Sequence, residues 1–322
     1  MAGNATIVRA LVICLLAACL AFGETNRAQQ TAPAAQGATP GKENPAGGET
    51  LSFSAVDHDG GPVVGLQAED LALQIDNAPR KIVSLLPTNA QPRIIGVFFD
   101  VSADRRGDRV VGEEAEATAN FLNSVWHRGD GGFVVVFSDG PLTLAKPTTD
   151  LQPIQAALQK IPRWDVQGGT AVYDALCSIR FGPKVGGREK VFVVVTNFED
   201  TSSHNSLEKM IQTMREEGVR VVVVLRPWEP AEDDQHPAFG LRQEKVMQHF
   251  AEHAAEKAAK ETGGSVFVVT SQKELDAAFQ RLAGELQGAY RLTYEPLPST
   301  EKPKKLELTT TRRDVVLHYA KN

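Results

Sequence analysis

The chain has 322 residues, enough for two domains, and its 42 % hydrophobic share separates it from disordered and fibrous classes. A formal net charge of −6, with Lys and Arg scattered along the chain, leaves no basic surface of the kind nucleic acid requires.

The chain opens with a leader-like segment. MAGNATIVR carries one basic residue, and ALVICLLAACLAF is an apolar run too short to span a bilayer comfortably. Ala21-Phe22-Gly23 presents small residues where ordinary signal cleavage occurs, before Glu24. Leu16-Ala17-Ala18-Cys19 resembles the bacterial lipoprotein cleavage box, which would make Cys19 a lipid anchor. Both readings place the protein outside the cytoplasm, in the periplasm, the cell envelope or the medium. Cys14 and Cys19 belong to the leader, so Cys177 stands alone in the mature chain, where no intrachain disulfide can form. Cys177 falls in an apolar helical pattern and reads as a small packed side chain. No segment of the mature chain reads as a transmembrane span.

Residues 24–48 are rich in Ala, Pro, Gly, Gln and Thr without periodicity, the composition of a tether. From Glu49 the pattern turns to β structure. LSFSAV, LALQI and KIVSLL are short runs separated by Gly, Pro, Asp and Asn. AYRLTYE (289–295), KLELTTT (305–311) and DVVLHY (314–319) answer them at the far end. Each flank is too small to hide a core alone, so the two are expected to pair as one β unit.

Between the flanks the period changes. Apolar runs at 94–99, 133–137, 191–195, 219–225 and 265–269 alternate with helical patterns at about 111–125, 151–160, 171–180, 206–217, 240–262 and 272–287. Continuous Val/Ile/Phe strands alternating with amphipathic helices predict a doubly wound, mostly parallel α/β sheet covered on both faces. Residues 141–146 predict a short edge strand. The division expected is a signal peptide (1–23), a linker (24–48), an N-terminal β segment (49–90), the α/β domain (91–288) and a C-terminal β segment (289–322).

In such sheets ligands sit beyond the carboxyl ends of the strands. The strand at 94–99 runs into Asp100, Ser102 and Asp104, and the strand at 191–195 runs into Thr196-Asn197-Phe198-Glu199-Asp200. QGGTAVYDAL places Thr170 at a helix start behind two glycines. Hydroxyls, carboxylates and an amide oxygen are hard donors, suited to Mg²⁺ or Mn²⁺ rather than zinc.

Asp-x-Ser-x after the first strand, Gly-Gly-Thr before a helix and a polar residue after a later strand resemble the metal-ion-dependent adhesion site of von Willebrand factor type A domains. FVVVFSDG (133–140), GGTAVYDAL (168–176) and EDTSS (199–203) stand in that family's order. VDHDGGPVVGLQAEDLALQIDNAPRKI and YRLTYEP resemble the flanking β segments of exported bacterial proteins of this type. The resemblance covers roughly residues 50–320. It implies a Rossmann-like fold, a non-enzymatic role in protein–protein interaction, and a metal site formed by Asp100, Ser102, Asp104, Thr170 and Asn197. The partner implied is a protein offering an acidic side chain. The site departs from the family at two of these positions and at one neighbour. Asp104 stands for the second serine, Asn197 for the distal aspartate, and Phe198 for the glycine that follows. Were Asp104 to bind the ion directly, it would neutralise part of the charge that attracts a partner and could fill the partner's position. The site is therefore expected to be degenerate.

Two enzyme readings compete. Asp100-Val101-Ser102 resembles the haloacid-dehalogenase phosphatases, although these carry a second Asp where Ser102 stands. His249-Phe250-Ala251-Glu252-His253 has the spacing of an inverted zinc-peptidase motif, without an evident further ligand downstream. No P-loop, G-x-S-x-G elbow or G-x-G-x-x-G fingerprint occurs. The acidic segment at 226–240, with Trp228, Glu229, Glu232, Asp233 and Asp234, leaves a strand on the same rim. It reads as a partner-selecting loop or as a solvated one.

Overall fold

The computed structural model describes residues 48–102, 108–163, 168–182, 188–227, 238–295 and 305–321. The leader, the tether up to residue 47, Asp104 and the loop of Trp228 lie outside the described residues.

A six-stranded sheet organises the chain. Its strands are β5 (Ile94–Asp100), β6 (Gly131–Phe137), β7 (Pro141–Thr148), β8 (Lys190–Thr196), β9 (Val219–Leu225) and β10 (Val266–Val268), in the order β10-β9-β8-β5-β6-β7. All neighbours are parallel except β7, which runs antiparallel along β6 at the edge. The continuous apolar runs follow from burial on both faces: every residue of β6 and of β9 is buried.

Alternate residues feed two cores. Ile95, Val97 and Phe99 point into a cluster with α1 (Asp108–Val125), α2 (Leu151–Leu158) and α6 (Gln272–Gln287). Phe98 points the other way, toward α3 (Val172–Cys177), α4 (Leu207–Glu217) and α5 (Ala238–Thr262). On that second face Phe98, Phe133 and Phe192 pack edge-on or tilted, with centroids 4.7–5.8 Å apart. Gly96 makes room for them, because a Cβ there would overlap the Phe133 ring. Helix ends carry ordinary signals. Asp150, Ser206 and Ser271 cap α2, α4 and α6, and Gly218 closes α4 in the left-handed conformation. On α5, Val246, Met247 and Phe250 remain exposed.

The flanking strands form two small antiparallel sheets rather than one. β1 (Glu49–Val56), β4 (Ile82–Pro87), β11 (Ala289–Tyr294) and β13 (Val316–Tyr319) pair in the order β13-β1-β11-β4. β12 (Leu306–Thr310), β2 (Leu71–Ile75) and β3 (Ala78–Arg80) make the second sheet. Phe53, Leu73, Ile75, Leu292, Tyr290, Leu306 and Leu308 form one core between them, with Phe53 stacked on Tyr290 at 5.5 Å. The unpredicted β3 follows from turn chemistry. Asp76 and Asn77 both take positive φ (50° and 63°), which makes a two-residue hairpin of the kind that fits strand twist.

Candidate functional site

The carboxyl ends of β5, β6 and β8 converge with the start of α3. Asp100, the last residue of β5, is fully buried. Its Oδ1 accepts from the Ser102 N–H at 2.9 Å and its Oδ2 from the Thr196 hydroxyl at 2.6 Å. No cationic side chain pairs with it among the described residues. Val101 N–H donates to the Phe137 carbonyl, extending the ladder to β6 and holding Ser102 at the top of the sheet.

Thr196 also accepts the Phe198 N–H at 2.9 Å, while Asn197 Oδ1 accepts the Glu199 N–H at 3.2 Å. The second bond fixes which end of the Asn197 amide faces the backbone, leaving Nδ2 as its free end. Phe198 has φ +61°, left-handed backbone that a bulky residue enters only at a cost of about 1–3 kcal/mol. This explains why the resemblance sets glycine here. The Phe198 ring is fully buried, edge-on to Tyr173 at 6.0 Å.

The Thr170 loop is clamped by two other loops. Gly168 has φ +77°, and a Cβ there would overlap the Asp139 carboxylate. Asp139 accepts from the Gly169 N–H at 2.6 Å, and the Thr201 hydroxyl accepts the Thr170 N–H at 2.9 Å. The Thr170 carbonyl accepts N–H bonds from Thr201 and Ser202, while Ala171 N–H donates to Ser138. Asp200 and the Ser203 hydroxyl accept the first N–H groups of α3. Burial opposes ionisation of Asp174, yet hydrogen bonds from the His204 and Asn205 backbone and side chains bring its carboxyl down to about 2. Burial, with the charges of Asp200 and Glu208, pushes the Tyr173 phenol up to about 12.

Of the five sequence-derived residues, Asp100, Ser102, Thr170 and Asn197 lie at these neighbouring strand and helix ends; Asp104 lies outside the described residues. Three atoms at the site are buried without a hydrogen-bond partner: Ser102 Oγ, Thr170 Oγ1 and Asn197 Nδ2. Buried polar atoms are almost always paired, and these three lie at neighbouring strand and helix ends. The two hydroxyl oxygens and Asp100 fit a small hard cation, which takes about six oxygen ligands. Asn197 fits it less well, because the atom it leaves unpartnered, Nδ2, is a donor. Sequence reasoning included Thr196, Asp139, Thr201 and Asp174 in its motifs without giving them a role. Their signal was faint, since each acts through bonds that span about 30 residues or more.

The enzyme readings find less support in the geometry. The phosphatase reading lacks its second aspartate, because Ser102 stands at that position. His249 and His253 pack edge-on at 4.4 Å on α5, where His253 is exposed and 3.8 Å from Glu256. Among the described residues no group of three or more His, Cys, Asp and Glu could hold a metal ion. Cys177 is half-buried, and burial pushes its thiol up, away from thiolate.

The strand order, the antiparallel edge strand and the motif-bearing loops at adjacent strand ends define a von Willebrand factor A-type fold. No family model matches the chain, and neither does any curated protein. Among solved structures, it is similar to an aerotolerance-related membrane protein from Bacteroides fragilis, with 19% identity and a TM-score of 0.46, covering 60% of this chain and 98% of that one. It is also similar to a von Willebrand factor type A structure from Catenulispora acidiphila, at 14% identity and a TM-score of 0.48, covering 86% and 74%. A third is proximal thread matrix protein 1 from the mussel byssus, described with a zinc-occupied MIDAS motif, at 15% identity and a TM-score of 0.49, covering 66% and 49%. No helix among the described residues is long and apolar enough to cross a membrane.

Proposed function

We propose that the protein is an exported, non-enzymatic interaction module that engages a protein partner at the rim of Asp100, Ser102, Asp104, Thr170 and Asn197. Residues 91–288 form the module, and the segments 49–90 and 289–322 its β support. The observation that carries this reading is the pair of buried hydroxyls, Ser102 Oγ and Thr170 Oγ1, left without a hydrogen-bond partner near Asp100, which pairs with no cation among the described residues. These two hydroxyls would hold Mg²⁺ or Mn²⁺, with Asp100 oriented behind them by Ser102 N–H and Thr196. A bound cation supplies positive charge for an acidic side chain of the partner. Asn197 in place of aspartate removes one negative charge and Asp104 in place of serine adds one, and this changed placement makes the site degenerate.

Calorimetric titration of Mn²⁺ into the purified chain tests this. Submillimolar binding is expected, lost in Ser102→Ala and Thr170→Ala. Asn197→Asp should tighten it on the order of tenfold, because ligand charge tunes affinity at such sites. Equal binding by Ser102→Ala and the natural chain would remove the rim from consideration.

A further inference from the structure

A cleft of about 620 Å³ lies away from the rim, between the β1 turn and β13 on one side and α5, β10 and α6 on the other. Its walls include the half-buried apolar faces of Phe267, Leu317 and Tyr319, and three cations border it: Lys260, Arg281 and Lys321. The carboxylates that border the same space are already engaged. Asp57 accepts the N–H groups of Asp59 and Gly61 at 2.9 and 2.7 Å. Glu285 accepts from the Ser265 hydroxyl at 2.6 Å and from Arg220 at 3.0 Å. Glu256 lies 3.8 Å from His253.

The cations are not so engaged. Among the described residues, none of Lys260, Arg281 and Lys321 pairs with a carboxylate. Lys321 Nζ sits 5.6 Å from the centroid of the Tyr319 ring, a cation–π contact that keeps the ammonium beside an apolar wall. The Arg281 stem is fixed against the β1 turn. Gly60 there has φ +87°, and any Cβ would overlap the Arg281 side chain. The cleft thus offers three exposed cations that no carboxylate pairs among the described residues. An anion would pair with them, and the apolar walls add affinity for a body attached to it. Clefts of this size between two packed structural layers commonly take small molecules.

We propose that this cleft binds a small amphipathic anion, with an anionic head held by Lys260, Arg281 and Lys321 and an apolar body lying against Phe267, Leu317 and Tyr319. The site is independent of the rim and uses none of its residues.

Fluorescence titration of the full chain with 8-anilinonaphthalene-1-sulfonate, an aromatic sulfonate, tests the proposal, followed by competition. Decanoate should displace the probe, whereas decanol (body without charge) and acetate (charge without body) at equal concentration should not. The Lys260→Gln/Arg281→Gln double variant should weaken probe binding by about tenfold or more, the scale of losing charge-assisted contacts. Lys260→Gln alone should weaken it by a smaller factor, and it carries the test if loss of the Arg281 stem harms folding. Phe250→Ala removes the exposed apolar face of α5 and should leave the signal unchanged. Displacement by decanol as effective as by decanoate would overturn the proposal. Unchanged binding in both Lys260 variants, or a signal lost in Phe250→Ala, would also overturn it.

Discussion

The two ends of the six-stranded sheet place a buried aspartate in different settings. At the amino end, Arg93 and Asp130 are both fully buried and meet at 3.0 Å. Asp130 also accepts the backbone N–H groups of Arg93 and His127, and Arg93 donates to the Val125 carbonyl. Arg220 at the start of β9 likewise joins Glu189, Glu285 and the Gly263 carbonyl. At the carboxyl end, Asp100 is just as buried but pairs with no cation among the described residues, and Ser102 Oγ, Thr170 Oγ1 and Asn197 Nδ2 lack hydrogen-bond partners, as Arg93 Nε and Nη1 do at the other end. The carboxyl end has an ion pair of its own, Arg226 with the buried Glu114 at 3.7 Å, but among the described residues that pairing does not extend to Asp100. Where the chain leaves charge and hydroxyls unmatched, a group from outside the chain is the natural complement.

Breaking the closed end should have the largest effect. Asp130→Ala leaves Arg93 buried without its partner, and an unfolding midpoint in urea should report a loss of about 3–5 kcal/mol. The open end should be sensitive in a different way. Replacing Phe198 removes a buried ring, costing about 3–5 kcal/mol in either a glycine or an alanine variant. At φ +61° the ordinary order of those two residues should reverse, with Phe198→Gly more stable than Phe198→Ala by about 1 kcal/mol. The same stability or a more stable alanine variant would mean that the turn relaxes once the ring is gone.

The smallest effect concerns the loop that clamps α3. The Asp174 carboxyl is held at about 2 in the folded chain against an ordinary 3.8. A depressed folded value contributes stability that is present above about pH 4 and lost as pH falls toward 2. Solvent reaches this carboxylate, so the contribution should be about 1 kcal/mol. Asp174→Asn should flatten the acid limb of the stability curve between pH 4 and 2, measured by urea unfolding at each pH.

The sheet was readable because burial on both faces writes itself as unbroken Val, Ile and Phe runs. The strand expected at 94–99 forms as Ile94–Asp100, and the one at 191–195 as Lys190–Thr196. The edge strand expected at 141–146 forms antiparallel as Pro141–Thr148. The flanks were readable as strands but not as two sheets. LALQI and KLELTTT pair with each other across more than 200 residues, and nothing local says that they leave AYRLTYE to another sheet. At the rim, residue types at strand ends pointed to Asp100, Ser102, Thr170 and Asn197. The polarity of Asn197 was not readable, since only the Glu199 N–H decides which end of its amide is free.

The pairing of β1 with β11 also sets an order of events. Tyr294 donates its hydroxyl to Glu49 across 245 positions, and the strands that carry them pair from Glu49–Tyr294 to Ser54–Ala289. A chain made from its amino terminus presents β1 long before its partner exists, so the α/β layers can close first. Such distant pairing is slow to form and leaves an unpaired strand edge in the meantime. The strands that complete both flanking sheets, β11, β12 and β13, are made last, and a chain cut short before residue 289 would lack them.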